Sequence, residues 1–232
     1  HGRTMGALSA TFTREYREPF VPVVEGFQFA PFNNFAKLAE KVNENTAAVM
    51  LEVVQGEGGV NLGNAEYFSK VSELCRDKGI LVIIDEVQTG FCRTGKMFAC
   101  EHFDLEPDIL CLAKAMAGGL PMGAVVCSDK IGVPVGRHGS TFGGNPLACA
   151  ASLAAIDAMI EERLADAAVE KGAYLLERLT AAELPRVREI RQLGLMMGIE
   201  LREKSQPYLL RLLEAGVLAL PAGATVVRLL PP

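Results

Sequence analysis

A single lysine, Lys114, interrupts an otherwise apolar and glycine-rich stretch between Ile109–Leu112 and the pair Gly118-Gly119. Lysine is rarely buried without a partner, and desolvation lowers the pKa of its amine towards the range where the neutral form is a nucleophile. Two interpretations are open at this point. Lys114 either extends its amine to solvent from the end of a strand, or it supplies a reactive amine that bonds to a carbonyl carbon.

Asp85 is the second candidate for chemistry, because it directly follows the apolar run Ile80–Ile84. A carboxylate at the end of a buried strand needs a cationic partner, which could be a protonated ring nitrogen, a metal or an arginine. Capping of a helix is the structural alternative. Three residues further on, Gln88 offers an amide donor in the same turn.

The loop Arg137–Pro146 is the third candidate, since it combines the hydroxyls of Ser140 and Thr141 with two adjacent glycines and a helix start. Hydroxyls and free backbone N–H groups at a helix start suit a phosphate, although such a loop can also be a plain turn. The glycine-rich segment Gly56–Gly59 lacks the spacing of the nucleotide-binding loops. A nucleotide site is therefore not predicted there.

The elements that must position these residues follow from the apolar patterns. Thr46–Val54 is a continuous β-prone run, as expected of a strand covered on both faces. Asn64 can begin a helix that Gly79 ends, and Ile80–Ile84 is another buried strand. The order strand, helix, strand predicts an α/β fold with a mostly parallel sheet, whose ligands bind at the carboxyl ends of the strands.

The second half of the chain changes character after Glu161, where charged residues become frequent. We expect a large domain over residues 1–162 and a smaller α+β domain over 163–232. The elements predicted outside the first βαβ unit are strands at 108–112 and 123–127, a helix from Pro146 to about 160, a helix at 164–181, a strand pair at 187–201, a helix at 207–214 and two brief strands.

Composition excludes several classes of function. The 232 residues are 50% hydrophobic and carry a net charge of −5 without any basic stripe, so a nucleic-acid surface is not indicated. No apolar run is long enough for a bilayer, and the six scattered cysteines lack zinc-site spacing. We expect a cytoplasmic protein that binds small molecules and no metal. Because the sequence starts at His1-Gly-Arg-Thr without a methionine, we also expect a fragment.

A lysine, a carboxylate for a ring nitrogen and a hydroxyl loop for a phosphate are the contacts that pyridoxal phosphate needs. Four motifs in this order resemble the class III (subgroup II) aminotransferases of fold type I, which use this cofactor: Glu52–Gly59, Asp85–Gly95, Ala113–Gly119 and Gly139–Pro146. Within the family, the acetylornithine and LysW-aminoadipate-semialdehyde aminotransferases are most similar, at His1–Thr4, His138–Ala148 and Leu218–Pro232.

The resemblance implies a ping-pong transfer of the terminal amino group of an N-acylated ornithine or lysine, free or linked to a carrier protein, to 2-oxoglutarate. Such a reaction belongs to arginine or lysine biosynthesis. Ornithine or 4-aminobutyrate aminotransferase is an alternative. An alternative of another class is a non-catalytic dimerising subunit or a truncated product.

The resemblance also implies roles for single residues at the cofactor. Lys114 would bond to the cofactor and later move the proton of the substrate carbon, and Asp85 would keep the ring nitrogen protonated. Both would be catalytic. Glu86, Val87 and Gln88 would complete the cofactor site, with Val87 against the ring face and Gln88 on the ring hydroxyl.

The same resemblance implies a shared active site and a set of substrate contacts. Thr141 would contact the phosphate of the neighbouring subunit's cofactor, which implies a homodimer. Ser140 would lie near the substrate. Arg3 and Arg228 would bind carboxylates through their guanidinium forks, and Glu57 would neutralise Arg228 while the amino donor reacts.

Overall fold

A computed structural model describes all of residues 1–232. The helices are α1 (Met5–Ser9), α2 (Arg14–Arg17), α3 (Phe35–Ala39), α4 (Ala65–Lys78), α5 (Pro146–Glu161), α6 (Leu164–Ala181) and α7 (Gln206–Glu214), with 3-10 turns at Glu18–Phe20, Ala99–Phe103 and Lys114–Ala117. The strands are β1 (Ala48–Leu51), β2 (Val54–Gln55), β3 (Asn61–Leu62), β4 (Leu81–Asp85), β5 (Ile109–Leu112), β6 (Ala124–Cys127), β7 (Val187–Leu193), β8 (Met196–Leu201), β9 (Leu220–Ala222) and β10 (Val226–Leu229).

The first sheet positions the candidate site, and its strand order is β1-β4-β5-β6. Strands β1, β4 and β5 run parallel, and β6 is an antiparallel edge strand. In the register of β4 and β5, Asp85 pairs with Cys111. Since parallel strands end at the same edge, Asp85 and the segment that begins at Lys114 lie close together. The predicted α/β fold with a mostly parallel sheet is confirmed.

Helix α4 forms as its sequence predicts. The Asn64 side chain accepts a hydrogen bond from the Tyr67 N–H at 2.7 Å, and Gly79 ends the helix in the left-handed conformation at φ +65°. The buried face includes Phe68 and Val71, which pack into the core beneath the sheet. Burial of this apolar face holds α4 against β4 and thereby fixes the strand that carries Asp85.

The continuous strand predicted over Thr46–Val54 is wrong, because β1 ends at Leu51. Val54–Gln55 instead pairs with Asn61–Leu62 in a short antiparallel hairpin, and the Gly63 N–H donates to the Val53 carbonyl at 3.0 Å. The chain reverses direction in the glycine-rich loop Gly56–Gly59, between β2 and β3. It leaves Glu52 just beyond the end of β1 and places Glu57 in the hairpin loop.

The second sheet has the order β7-β8-β10-β9 and is antiparallel throughout. Its core contains Met197, Ile199 and Val227, with α7 contributing Leu209. The division predicted at 162/163 falls in the turn between α5 and α6. Strand β10 carries Arg228, which is only 9% exposed. No helix of the chain is both long and apolar enough to cross a membrane.

Candidate active site

Asp85 is the last residue of β4, and its side chain is 5% exposed. The Val87 N–H donates to Asp85 Oδ1 at 3.1 Å, which orients the carboxylate. The α-amino group of His1 donates to Asp85 Oδ2 at 2.5 Å. The contact shows that Oδ2 is turned towards the interior of the site and can accept a nitrogen donor there. Asp85 caps no helix, so this oxygen is available to a ligand.

Lys114 begins the 3-10 turn after β5 in the left-handed conformation, at φ +49°. A long side chain such as that of lysine seldom adopts this conformation, which costs free energy that the surroundings must offset. Lys114 Nζ lies 2.8 Å from Nε2 of His1, whose α-amino group contacts Asp85. His1 thus lies between the Lys114 amine and the Asp85 carboxylate and contacts both.

The Lys114 residue is exposed as a whole, yet its amine lies among protein atoms that displace water. This desolvation lowers the pKa of Lys114, with Arg228 acting in the same direction, while Glu57, Asp85 and Glu52 oppose the shift. A lowered pKa enlarges the neutral, nucleophilic fraction of the amine. Of the two interpretations of Lys114, the geometry favours the reactive amine.

Glu52 is a site residue whose role the sequence did not reveal. Its side chain is partly buried, and the Gly56 N–H donates to its Oε2 at 3.4 Å. Desolvation, followed by repulsion from Asp85, raises the pKa of Glu52 to about 7. The sequence feature that could have identified Glu52 is its position directly after an apolar strand, which it shares with Asp85. Glu52 therefore stays protonated to a much higher pH than an ordinary glutamate.

The raised pKa of Glu52 predicts a pH dependence of stability. Because the folded-state pKa of about 7 lies above the ordinary value of 4.5, the contribution of Glu52 is full below about pH 4.5 and is lost as the pH rises through 7. In the cofactor-free full-length protein, Glu52→Gln should remove at least about 1 kcal/mol of this decline. Urea unfolding near pH 5 and pH 8 measures the change in the free energy of unfolding of the wild type and of the variant. An equal change in the two proteins would contradict the prediction.

Arg228 faces the same site from the second sheet. Its Nη1 donates to Gln88 Oε1 at 3.0 Å, and its buried Nε has no hydrogen-bond partner. Burial lowers the pKa of Arg228, whereas Glu57, Glu52 and Tyr16 favour its charged form. A buried guanidinium with a free donor is unusual, because such groups are normally satisfied. Arg228 thus has donor capacity left for a carboxylate brought by a ligand.

Arg3 and Glu57 lie at the exposed rim. Their side chains approach to 3.7 Å, Glu57 Oε1 lies 4.0 Å from His1 Nε2, and the Arg3 guanidinium stacks on the Tyr16 ring at 4.0 Å. The expected pairing of Glu57 with Arg228 is not the arrangement found. Gln88 occupies Arg228, and Glu57 turns to the second guanidinium at the rim.

The side chain of Glu86 points away from the site, contrary to its predicted role. Its carboxylate is fully buried and accepts hydrogen bonds from the Cys100 N–H at 2.8 Å and from the Thr89 hydroxyl. Both oxygens are therefore occupied, one by the 3-10 turn at Ala99–Phe103 and the other by Thr89 in the turn that follows β4. Only the backbone of Glu86 remains for a ligand. Val87 and Gln88 are partly buried beside Asp85.

Ser140 and Thr141 are not brought to this cluster within one chain. Both are exposed, and Ser140 Oγ accepts only the local hydrogen bond from the Gly143 N–H at 3.0 Å. No hydrogen bond or ion pair joins either residue to the groups around Lys114. Their predicted contacts with a cofactor or substrate would have to be made from another subunit.

The cluster combines an accessible amine of lowered pKa, a buried carboxylate with one oxygen turned into the site and a guanidinium with an unused donor. These groups suit a small molecule that has a carbonyl group, a protonated nitrogen and a carboxylate. No group of three or more histidine, cysteine, aspartate or glutamate side chains is arranged to hold a metal.

Comparison with known proteins places this cluster in a family. The family model described as aminotransferase class-III matches residues 1–232. Over 236 residues, the chain is 51% identical to the [LysW]-aminoadipate semialdehyde transaminase of Deinococcus radiodurans, covering 100% of this chain and 55% of the relative. It is also 45% identical to the acetylornithine aminotransferase of Methanocaldococcus jannaschii, covering 100% of this chain and 59% of the relative.

A solved structure agrees with these relatives. The ornithine aminotransferase of Toxoplasma gondii, crystallised with oxidised glutathione and with partial occupancy of PLP at its active site, superposes with a TM-score of 0.92 at 37% identity. The match covers 100% of this chain and 57% of that structure. The chain belongs to the class III aminotransferase family, which confirms the resemblance. It spans between half and two thirds of the length of these relatives.

Proposed function

We propose that the full-length protein is a pyridoxal-phosphate-dependent transaminase of arginine or lysine biosynthesis. It moves the terminal amino group of an N-acylated ornithine or lysine, or of a carrier-protein-linked equivalent, to 2-oxoglutarate. The observation that carries the proposal is the juxtaposition of the Lys114 amine and the buried Asp85 carboxylate, which both contact His1, in a chain of this family.

The residues present fit the cofactor. Asp85 Oδ2, which accepts a nitrogen donor inside the site, would hold the ring nitrogen, and Lys114 Nζ, which contacts the same residue His1, would face the carbonyl group of the same ligand. Val87 and Gln88 would flank the ring. When bound, pyridoxal phosphate supplies an electron sink for the bonds at the substrate carbon.

The chain's own residues would then divide the remaining work. Asp85 keeps a proton on the ring nitrogen, since its charge is buried and oriented by the Val87 N–H. Lys114, with its lowered pKa, accepts and returns the proton of the substrate carbon. Arg228, which is buried, and Arg3, which lies at the exposed rim, bind the carboxylates of donor and acceptor.

We further propose a homodimer with shared sites, located in the cytoplasm, with domains at residues 1–162 and 163–232. Support for the dimer comes from large apolar side chains that are exposed in this chain. They lie in the segments on both sides of the loop of Ser140 and Thr141 and within it: Val125, Val126, Val133, Val135, Phe142, Leu147 and Leu153. An apolar area of this extent is typical of a contact surface. Thr141 would thereby reach the neighbouring subunit's cofactor.

A donor comparison on the cofactor-loaded full-length protein tests the substrate class. We expect kcat/KM for N-acetylornithine, or for a carrier-linked amine, to exceed that for free ornithine and 4-aminobutyrate by at least about tenfold. The physical reason is that acylation removes a positive charge that would face Arg3 and Arg228. Equal or faster reaction of the free diamine would favour the ornithine alternative. Absence of transfer from every donor would favour a non-catalytic subunit.

A further inference from the structure

The loop that carries Glu57 to the site, residues 56–60, has few local contacts: the Gly56 N–H donates to Glu52 at 3.4 Å, and the Asn61 amide donates to the Gly58 carbonyl at 2.9 Å. Three of its five residues are glycines, and the flanking strands β2 and β3 are two residues each. Gly59 has φ +121° and Val60 has φ +54°, conformations that most side chains disfavour. The position of Glu57 must therefore be imposed by contacts from elsewhere.

Arg191 on β7 makes the main external contact with this loop. Its Nε and Nη2 both donate to the Gly59 carbonyl, at 3.1 and 2.7 Å. Its Nη1 donates to Glu189 at 2.6 Å and to Glu200 at 2.5 Å. The side chain is only 14% exposed, so the guanidinium is locked between two carboxylates and one loop carbonyl.

Gly198 on β8 supplies a second contact beside the first. A Cβ atom at this position would lie 2.8 Å from Val60 Cβ and 3.1 Å from the Gly59 carbonyl oxygen. The loop therefore packs directly against the second sheet, next to the hydrogen bonds from Arg191. Any side chain at residue 198 would force the loop away.

Glu57 is the group that this arrangement places. Its side chain is 43% exposed and lies 3.7 Å from Arg3. Its charge also acts on Lys114 and on Arg228. Without the contacts from Arg191 and Gly198, the Glu57 carboxylate would move towards solvent. Its negative charge would then no longer stabilise the charged forms of Lys114 and Arg228.

We propose that Arg191 is a positioning residue that fixes the Gly56–Val60 loop and thereby sets Glu57 against the cations of the active site. The inference rests on the proposed function. When the loop is released, Glu57 no longer pairs with Arg3, and its negative charge no longer acts on Arg228. An amino donor with a single carboxylate then binds less well, whereas the dicarboxylate acceptor, which needs both guanidinium groups, is unaffected.

The test compares Arg191→Gln with Arg188→Gln in the full-length holoenzyme. Arg188 is a matched control, because it also pairs with Glu200, at 3.3 Å, but is 67% exposed and does not touch the loop. We expect Arg191→Gln to raise KM for the amino donor about tenfold or more while KM for 2-oxoglutarate changes less than about twofold. Arg188→Gln should change neither. Equal effects of the two variants would overturn the proposal.

A double-mutant cycle with Glu57→Gln shows whether Arg191 acts through Glu57. If it does, adding Arg191→Gln to Glu57→Gln should change donor KM no further; additive effects would overturn the proposal. Should Arg191→Gln fail to fold, Arg191→Lys keeps the charge but loses the fork that grips the Gly59 carbonyl. It should give a smaller donor defect of the same kind, and wild-type donor KM would overturn the proposal.

Backbone hydrogen exchange of residues 56–60 in the cofactor-free protein provides a readout independent of catalysis. Arg191→Gln should accelerate this exchange about tenfold or more, and Arg188→Gln should leave it unchanged. Unchanged exchange in Arg191→Gln would overturn the proposed clamp. Accelerated exchange in a protein that transfers no amino group would support the clamp and overturn only the proposed transaminase function.

Discussion

Replacing Lys114 with alanine in the full-length protein should lower the rate of amino transfer by about 10⁴-fold or more. The lysine has two tasks in the proposed reaction, as the covalent anchor of the cofactor and as the group that moves the substrate proton. No second lysine is placed at the Asp85 edge of the sheet to replace it. Steady-state rates and the visible absorption band of lysine-bound cofactor measure the effect.

Lys130→Ala is the matched control for this variant. Lys130 is an exposed surface lysine that pairs with Asp108 at 3.2 Å, so its loss should leave both the rate and the band unchanged. A small primary amine added to Lys114→Ala should restore part of the activity, because it can take over the proton transfer. If the absorption band survives in Lys114→Ala, the assignment of Lys114 is wrong.

Asp85→Asn should have the second largest effect, with cofactor affinity reduced about 10²–10³-fold. Removing one partner of a buried charge pair costs about 3–5 kcal/mol, because the remaining charge is left uncompensated. The neutral amide also no longer favours a protonated ring nitrogen, so turnover of any enzyme that remains loaded should fall as well. Titration of the cofactor-free protein with pyridoxal phosphate measures the affinity directly.

Asp104→Asn controls for the loss of one carboxylate elsewhere. Asp104 is exposed and lies in the left-handed conformation at φ +49°, which asparagine also adopts readily. Its replacement should leave cofactor binding unchanged. Wild-type affinity and turnover in Asp85→Asn would show that another group holds the ring nitrogen.

Most of the fold could be predicted from local patterns. Helix α4 follows from its Asn64 and Gly79 ends, and the β7–β8 pair lies within the strand pair predicted at 187–201. The strand predicted over Thr46–Val54 failed because β-propensity does not reveal where a chain reverses. Gly63 and Val53 fix the reversal through a backbone contact that no side-chain pattern records.

The sequence could predict a site residue only where its place at the end of a strand also fixes its place in the folded sheet. Asp85 and Lys114 follow neighbouring parallel strands, so topology alone brings them to one edge. Glu86 is adjacent in sequence but faces the opposite side, where Cys100 and Thr89 bind it.

The remaining contacts depend on pairings that a linear sequence does not encode. Arg228 meets Gln88 across 140 positions, and Arg191 reaches Gly59 across 132. The pKa of Glu52 is raised by burial and by the neighbouring Asp85, neither of which its residue type reveals.

Peptide mapping after borohydride reduction tests the central claim most directly. Reduction makes a lysine–cofactor bond permanent, so the cofactor-loaded full-length protein can be digested and the modified peptide identified by mass spectrometry. The proposed site predicts one modified peptide, with the cofactor on Lys114. Labelling of a different lysine, or no labelled peptide from a fully loaded protein, would contradict it.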